Sequence, residues 1–231
     1  MTEDPARAQD RGSAQDRASA DLSRITAIVP VGSLEGAKSR LGDRLDAEER
    51  QQLVVELLDR TVRAAGAASS VASVVAVSPD PASLRVASAA GASPVRQVDR
   101  GLNEGLRAAA RWAVADGATA LLILAGDLPA ISVETIDAVV AGAAGALEPG
   151  RPLVALVADR HGRGTNVLLV SPPDVIPFAF GSGSRAAHLA EAKAAGAATV
   201  ELDGPLSLDL DLPDDLILAE ELGLLDRAHV G

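Results

Sequence analysis

The run Ala120-Leu121-Leu122-Ile123-Leu124-Ala125-Gly126-Asp127-Leu128-Pro129 decides how the chain is read. Its opening residues are continuously apolar, the pattern of a strand buried on both faces in a parallel sheet. The run then stops at Gly126, presents one carboxylate and turns away at Pro129. Open α/β sheets bind their ligands outside the carboxyl ends of the strands. Asp127 therefore stands where chemistry is expected.

Outward from this run, strand and helix patterns alternate. Ile25 to Val31 reads as a first strand, followed by a loop from Gly32 to Arg40 that carries two glycines and two cations. Asp46 is placed to cap a helix whose acidic first turn is Glu48-Glu49 and whose apolar face is Leu53, Val54, Leu57, Leu58 and Val62. Ser73 to Ser78 is a second strand; a short helix through Leu84 and Ala87 leads to Gly91 and the segment Pro94 to Val98. A helix through Leu106, Ala109 and Ala113 precedes the central run, and a helix from Ser132 to Ala146 follows it. Beyond lie strands at 153–159, 166–171, 198–202 and 206–210, with helices from Arg185 to Ala195 and from Pro213 to about Leu222. This order predicts a single α/β domain over residues 24–231, with a mostly parallel twisted sheet and helices on both faces. Residues 1–23 contain almost no large apolar side chain and repeat Ala-Gln-Asp-Arg at Ala8 and Ala14, which predicts a disordered tail.

Composition removes several classes of function. A net charge of −11 argues against a general nucleic-acid binder, and one Trp, two Phe and no Tyr leave little to stack bases on. The absence of cysteine removes disulfides, thiolate catalysis and cysteine-held zinc. The histidines His161, His188 and His229 lack metal-ligand spacing, so a metal would be held by carboxylates, which suits a hard ion such as Mg²⁺. No apolar run is long enough to span a membrane and no secretory h-region opens the chain, so a cytoplasmic protein with no membrane partner is expected.

Four constellations could carry chemistry. The loop Gly32 to Arg40 can bring backbone amides to an anion, and it holds Lys38, one of only two lysines, together with Arg40. Asp209 and Asp211 alternate with leucines, so on an extended segment both carboxylates point the same way. With Asp127 they compose a magnesium site; alternatively, Asp211 caps the helix that begins at Pro213. The glycine-rich turns His161 to Asn166 and Gly181 to Arg185 offer hydroxyls and amides at a helix start, which suits a phosphate or carboxylate; two plain surface turns would look the same. The segment Asp99-Arg100-Gly101-Leu102-Asn103 could read a purine edge or ribose hydroxyl, or could simply cap a helix.

Taken in order, these motifs resemble the CofC/FbiD family. The resemblance rests on Ile28-Val29-Pro30-Val31, Gly36-Ala37-Lys38-Ser39-Arg40-Leu41, Asp99 to Asn103 and Ala125-Gly126-Asp127-Leu128-Pro129. It continues in Gly162-Arg163-Gly164-Thr165-Asn166, Phe180 to Ser184 and Leu208-Asp209-Leu210-Asp211, covering about residues 25 to 222. It implies a nucleotide-diphospho-sugar transferase (glycosyltransferase-A-like) fold and a guanylyltransferase of coenzyme F-420 biosynthesis. GTP would be attacked at its α-phosphorus by the phosphate of a three-carbon acid: phosphoenolpyruvate in bacterial members, giving enolpyruvyl-diphospho-5'-guanosine, and usually 2-phospho-L-lactate in archaeal ones. By motif, Asp127, Asp209 and Asp211 would hold Mg²⁺. Lys38 and Arg40 would meet the triphosphate and, with Asp127, carry catalysis. Asp99, Gly101 and Asn103 would lie at the nucleoside, and Thr165, Gly181 and Ser184 would bind the acceptor. A molybdopterin-type nucleotidyltransferase and a non-catalytic nucleotide-binding protein of the same fold are the alternatives.

Overall fold

The computed structural model describes residues 19–225. Seven strands form one sheet: β1 Ile25–Pro30, β2 Val71–Ser78, β3 Ser93–Arg96, β4 Ala120–Leu124, β5 Leu153–Ala158, β6 Thr165–Ser171 and β7 Ala198–Glu201. Their order across the sheet is β3-β2-β1-β4-β6-β5-β7. All neighbours pair in parallel except at β6, which runs antiparallel to both β4 and β5. The cause is local. Only the turn 159–164 separates β5 from β6, enough for a hairpin and too short for a parallel crossover.

The described residues form six α-helices: α1 Ala47–Ala67, α2 Pro81–Ala89, α3 Leu102–Ala115, α4 Val133–Ala144 and α5 Ser184–Ala195 pack on the sheet, and α6 Pro213–Glu221 packs beside α1. Asp46 and Ser132 cap α1 and α4 through their side chains. Alternation along β4 feeds two cores. Leu122 and Leu124 pack with Leu58 and Val62 of α1 and Ile136 of α4, whereas Leu121 and Ile123 pack with Leu106 and Ala109 of α3. With both faces covered, every residue of β4 is buried.

A third apolar cluster positions the late acidic motif. Leu208, Leu210 and Leu216 pack on Leu41, Leu45, Leu53 and Leu57. Residues 206–210, expected as a strand, do not join the sheet: Pro205–Ser207 is a 3₁₀ turn and the chain beyond it is extended but unpaired in any ladder. The Asn166 side-chain amide donates to the carbonyls of Leu206 (3.0 Å) and Ser207 (2.9 Å), taking acceptors that a ladder would use.

The first described residues are tied to the domain. Ala20 donates its amide to the Arg151 carbonyl, and Asp21 exchanges hydrogen bonds with the Ser171 hydroxyl at 2.8 and 2.9 Å. Ala20 and Asp21, which composition assigned to the tail, thus bond to the domain; residues 1–18 of the expected tail, and His229, lie outside the described residues.

Candidate active site

Gly126 allows β4 to end close against β1, because a Cβ there would sit 3.2 Å from the Pro30 carbonyl oxygen. Leu128 is fully buried beyond it, so the turn is anchored on both sides of Asp127. The amide of Leu210 then donates to the Asp127 carbonyl (3.2 Å), laying the extended 208–211 segment beside the end of β4. Since Leu208 and Leu210 point into the core, Asp209 and Asp211 point out of it, toward Asp127. One carboxylate oxygen from each of the three lies within 4.8 Å of the others.

Asp211 does not cap α6. That work falls to Asp215, whose carboxylate accepts from the amides of Asp211 (3.0 Å) and Leu212 (2.6 Å). Asp215 is buried and is neutralised by Arg160 at 2.6 Å. The capping alternative for Asp211 is therefore removed, and its carboxylate is left for the cluster.

The cluster is electrostatically loaded. Burial, then the charges of Asp127 and Asp211, push the Asp209 carboxyl up to about 6. Lys38 supplies the counter-charge: its Nζ pairs with Asp127 Oδ2 and lies 3.0 Å from Asp211 Oδ1. Burial presses the Lys38 ammonium toward neutrality, but Asp127 and then Asp211 more than offset it, so its pKa is raised. Among described non-glycine residues, only Lys38 has a left-handed backbone (φ 51°). Arg40 reaches Asp211 only at 3.9 Å and remains 72% exposed. Three carboxylates against one ammonium leave net negative charge, and an all-oxygen donor set suits a hard divalent cation.

A cleft of about 630 Å³ opens beside Lys38, Asp127 and Asp211, and Asp209 is outside its lining. Its walls are the loop from Gly32 to Arg40, the end of β4 and the segment around Gly101 and Leu102. Three residues not singled out from the sequence, Asp80, Ser83 and Gln97, shape these walls. Asp80 accepts from the Leu34 amide (3.1 Å) while Ser83 donates to the Gly32 carbonyl (2.9 Å), which pins the first loop. Backbone donation from Ala82 is the main reason that the Asp80 carboxyl is held below its usual range. Gln97 donates to the carbonyls of Asp99 (2.6 Å) and Gly101 (2.9 Å), and it lies so close over Gly105 that a Cβ there would meet its Oε1 at 2.5 Å.

The expected nucleoside segment is divided by the structure. Gly101 lines the cleft at a positive φ of 105°, whereas Asp99 is exposed outside the cleft lining. The Asn103 carboxamide is engaged at both ends: its Nδ2 donates to the Phe180 carbonyl (3.0 Å) and its Oδ1 accepts from the Phe180 amide (2.9 Å). Asn103 thereby clasps the second glycine-rich turn against the start of α3.

Thr165, Ser184 and the turn at Gly181 come together as a separate group that does not line this cleft. Thr165 and Asn166 are adjacent on β6, so their side chains face opposite ways. Asn166 turns to the 206–209 segment and approaches Asp209 Oδ1 at 3.4 Å, while Thr165 meets Ser184 (3.2 Å) and the buried His188 (3.1 Å). Gly181 has a φ of 131° that only glycine adopts readily. His161 is exposed on the β5–β6 turn and takes no part in these contacts.

Known proteins align with this chain. A protein from Sphaerobacter thermophilus named phosphoenolpyruvate guanylyltransferase is 46% identical over 191 residues, covering 82% of this chain and 89% of its own length. One of the same name from Rubrobacter xylanophilus is 41% identical, covering 86% of this chain and 95% of its own. A crystal structure from Desulfovibrio desulfuricans, described as a nucleotide-diphospho-sugar transferase, superposes with a TM-score of 0.61 at 16% identity over 77% of this chain and 79% of that one, a likeness of fold. The family model of CofC-like guanylyl transferases matches residues 25–222. The chain is a nucleotidyltransferase and belongs to the family of CofC-like guanylyl transferases.

Proposed function

We propose that the protein transfers GMP from GTP to the phosphate of phosphoenolpyruvate, giving enolpyruvyl-diphospho-5'-guanosine and pyrophosphate for coenzyme F-420 biosynthesis in the cytoplasm. The observation that carries this reading is the convergence of Asp127, Asp209, Asp211 and Lys38 at the end of β4, where Lys38, Asp127 and Asp211 line the cleft. An oxygen of the acceptor phosphate attacks the α-phosphorus, and the bond from that phosphorus to the bridging oxygen breaks as pyrophosphate leaves. The nucleophile is already an anion, so no general base is required. The barrier is alignment of two polyanions and repulsion between them.

Each group has a part in lowering that barrier. Asp127, Asp209 and Asp211 would hold Mg²⁺, which supplies charge neutralisation for the triphosphate when bound. Lys38 and Arg40 would take the triphosphate oxygens. Gly101 and the backbone around Asp99 would border the nucleoside, with Asn103 acting by fixing Phe180. Thr165, Gly181 and Ser184 would hold the phosphate and carboxylate of the acid. No helix among the described residues is long and apolar enough to cross a membrane, which agrees with work on soluble substrates.

Mass spectrometry of products from GTP or ATP with phosphoenolpyruvate, 2-phospho-L-lactate or 3-phosphoglycerate tests the reading. The expected outcome is magnesium-dependent pyrophosphate release and a guanylylated enolpyruvyl product with GTP and phosphoenolpyruvate. Preference for another acid would reassign the acceptor. No product with any acid would refute guanylyl transfer.

A further inference from the structure

His188 is a buried titratable group to which the proposed chemistry gives no task. It is fully buried, its ring stands edge-on to Phe180 with centroids 4.8 Å apart, and both its nitrogens are engaged. The Ala179 amide donates to Nε2 at 3.1 Å. A backbone N–H is always a donor, so Nε2 must be the unprotonated nitrogen, and in the neutral ring the proton lies on Nδ1. Nδ1 faces the Thr165 hydroxyl at 3.1 Å and therefore donates to it. The Ser184 hydroxyl also donates to Thr165 Oγ1, at 3.2 Å.

A hydroxyl oxygen accepts two hydrogen bonds and offers one proton. Thr165 Oγ1 thus has both acceptor positions filled, and its own proton finds no acceptor among the described residues. Left to itself, a threonine hydroxyl can rotate and serve a ligand as donor or acceptor. Here the choice has been made.

We propose that His188 is a positioning residue that fixes the Thr165 hydroxyl as a donor only, so that on the acid-binding side of the site it can meet only an accepting oxygen of the phosphate or carboxylate. Through Ala179 the same ring also anchors the turn that carries Gly181 and Ser184, so one side chain bonds to both segments assigned to the acceptor. Burial holds the imidazole pKa down at about 4, which keeps the ring in the neutral form that this bonding pattern needs. The inference rests on the reading that Thr165 and Ser184 bind the acceptor.

Three variants and one spectrum test it. An asparagine carboxamide reaches the place of Nδ1, so His188→Asn keeps donation to Thr165 and loses the Ala179 bond. A glutamine carboxamide reaches the place of Nε2, so His188→Gln keeps Ala179 and loses Thr165. The KM for the acid should rise about tenfold in His188→Gln, less than about threefold in His188→Asn, with the KM for GTP unchanged in both. Equal effects of the two, or parallel rises in both KM values, would mean a structural role alone and overturn the proposal. Thr165→Val should raise the acid KM at least as much as His188→Gln. If it does not, the acceptor assignment fails and the inference with it; if it does while His188→Gln is silent, only the inference fails. Nitrogen-15 NMR of the wild-type protein reads the tautomer independently of any variant: an Nδ1–H imidazole supports the proposal, and an Nε2–H imidazole overturns it.

Discussion

The amide of Leu210 donates to the carbonyl of Asp127 at 3.2 Å, and this bond joins the end of the central strand to the late acidic motif. Because Leu210 is fully buried, its neighbours Asp209 and Asp211 must face the other way, where Asp127 already stands. A backbone contact and a leucine thus assemble three carboxylates that the chain carries far apart.

Asp127→Asn should reduce turnover by about 10²–10³-fold while leaving the fold intact, because it removes one charge from the cation site without emptying space. Steady-state kinetics with thermal melting checks this, and titration with a divalent cation should show weaker binding. Near-wild-type turnover would take Asp127 out of the mechanism.

Lys38→Met should behave differently with and without a divalent cation. Removing the ammonium leaves the partly buried carboxylates mutually repelling, at a cost of about 1–3 kcal/mol in metal-free protein. A divalent cation should then raise the melting temperature of the variant more than that of the wild type. Equal shifts would show that Lys38 does not serve as counter-charge.

Stability should also depend on pH through His188. Burial lowers its pKa from 6.5 to about 4, so between these values the unfolded chain binds a proton that the folded protein does not. The contribution is complete above pH 6.5 and is lost as pH falls toward 4, amounting to about 3 kcal/mol. Asp209, raised to about 6, has the opposite sign, since its folded form gains stability as pH falls from 6 toward 3.8. The two are separated by denaturant unfolding of wild type and His188→Asn in chelator. The difference between them should shrink steadily from pH 6.5 to 4; a constant difference would contradict a buried neutral ring.

Asn103→Leu should free the Phe180 backbone, leaving a half-buried amide and carbonyl without their partners, and should destabilise the protein by about 1 kcal/mol. Hydrogen exchange at Phe180 should accelerate, and the KM for the acid should rise more than that for GTP. Unchanged exchange at Phe180 would show that the clasp carries no load.

Much of this was legible in the sequence. The continuous apolar run from Ala120 to Leu124 dictated a strand covered on both faces, since no exposed face could accept it. Asp46 and Ser132 marked helix starts because capping is a local bond. The alternation Leu208-Asp209-Leu210-Asp211 put both carboxylates on one side even though the expected strand did not form, because an extended backbone alternates whether or not it is paired. Other relationships depend on partners remote in sequence, and there the tertiary structure decided. It made β6 antiparallel, handed the α6 start to Asp215 and so released Asp211, turned Asn103 toward Phe180, and set Lys38 among the carboxylates. It also made His188 a buried, doubly bonded ring. Local pattern fixes which way a side chain can point; only packing of distant segments fixes what it meets there.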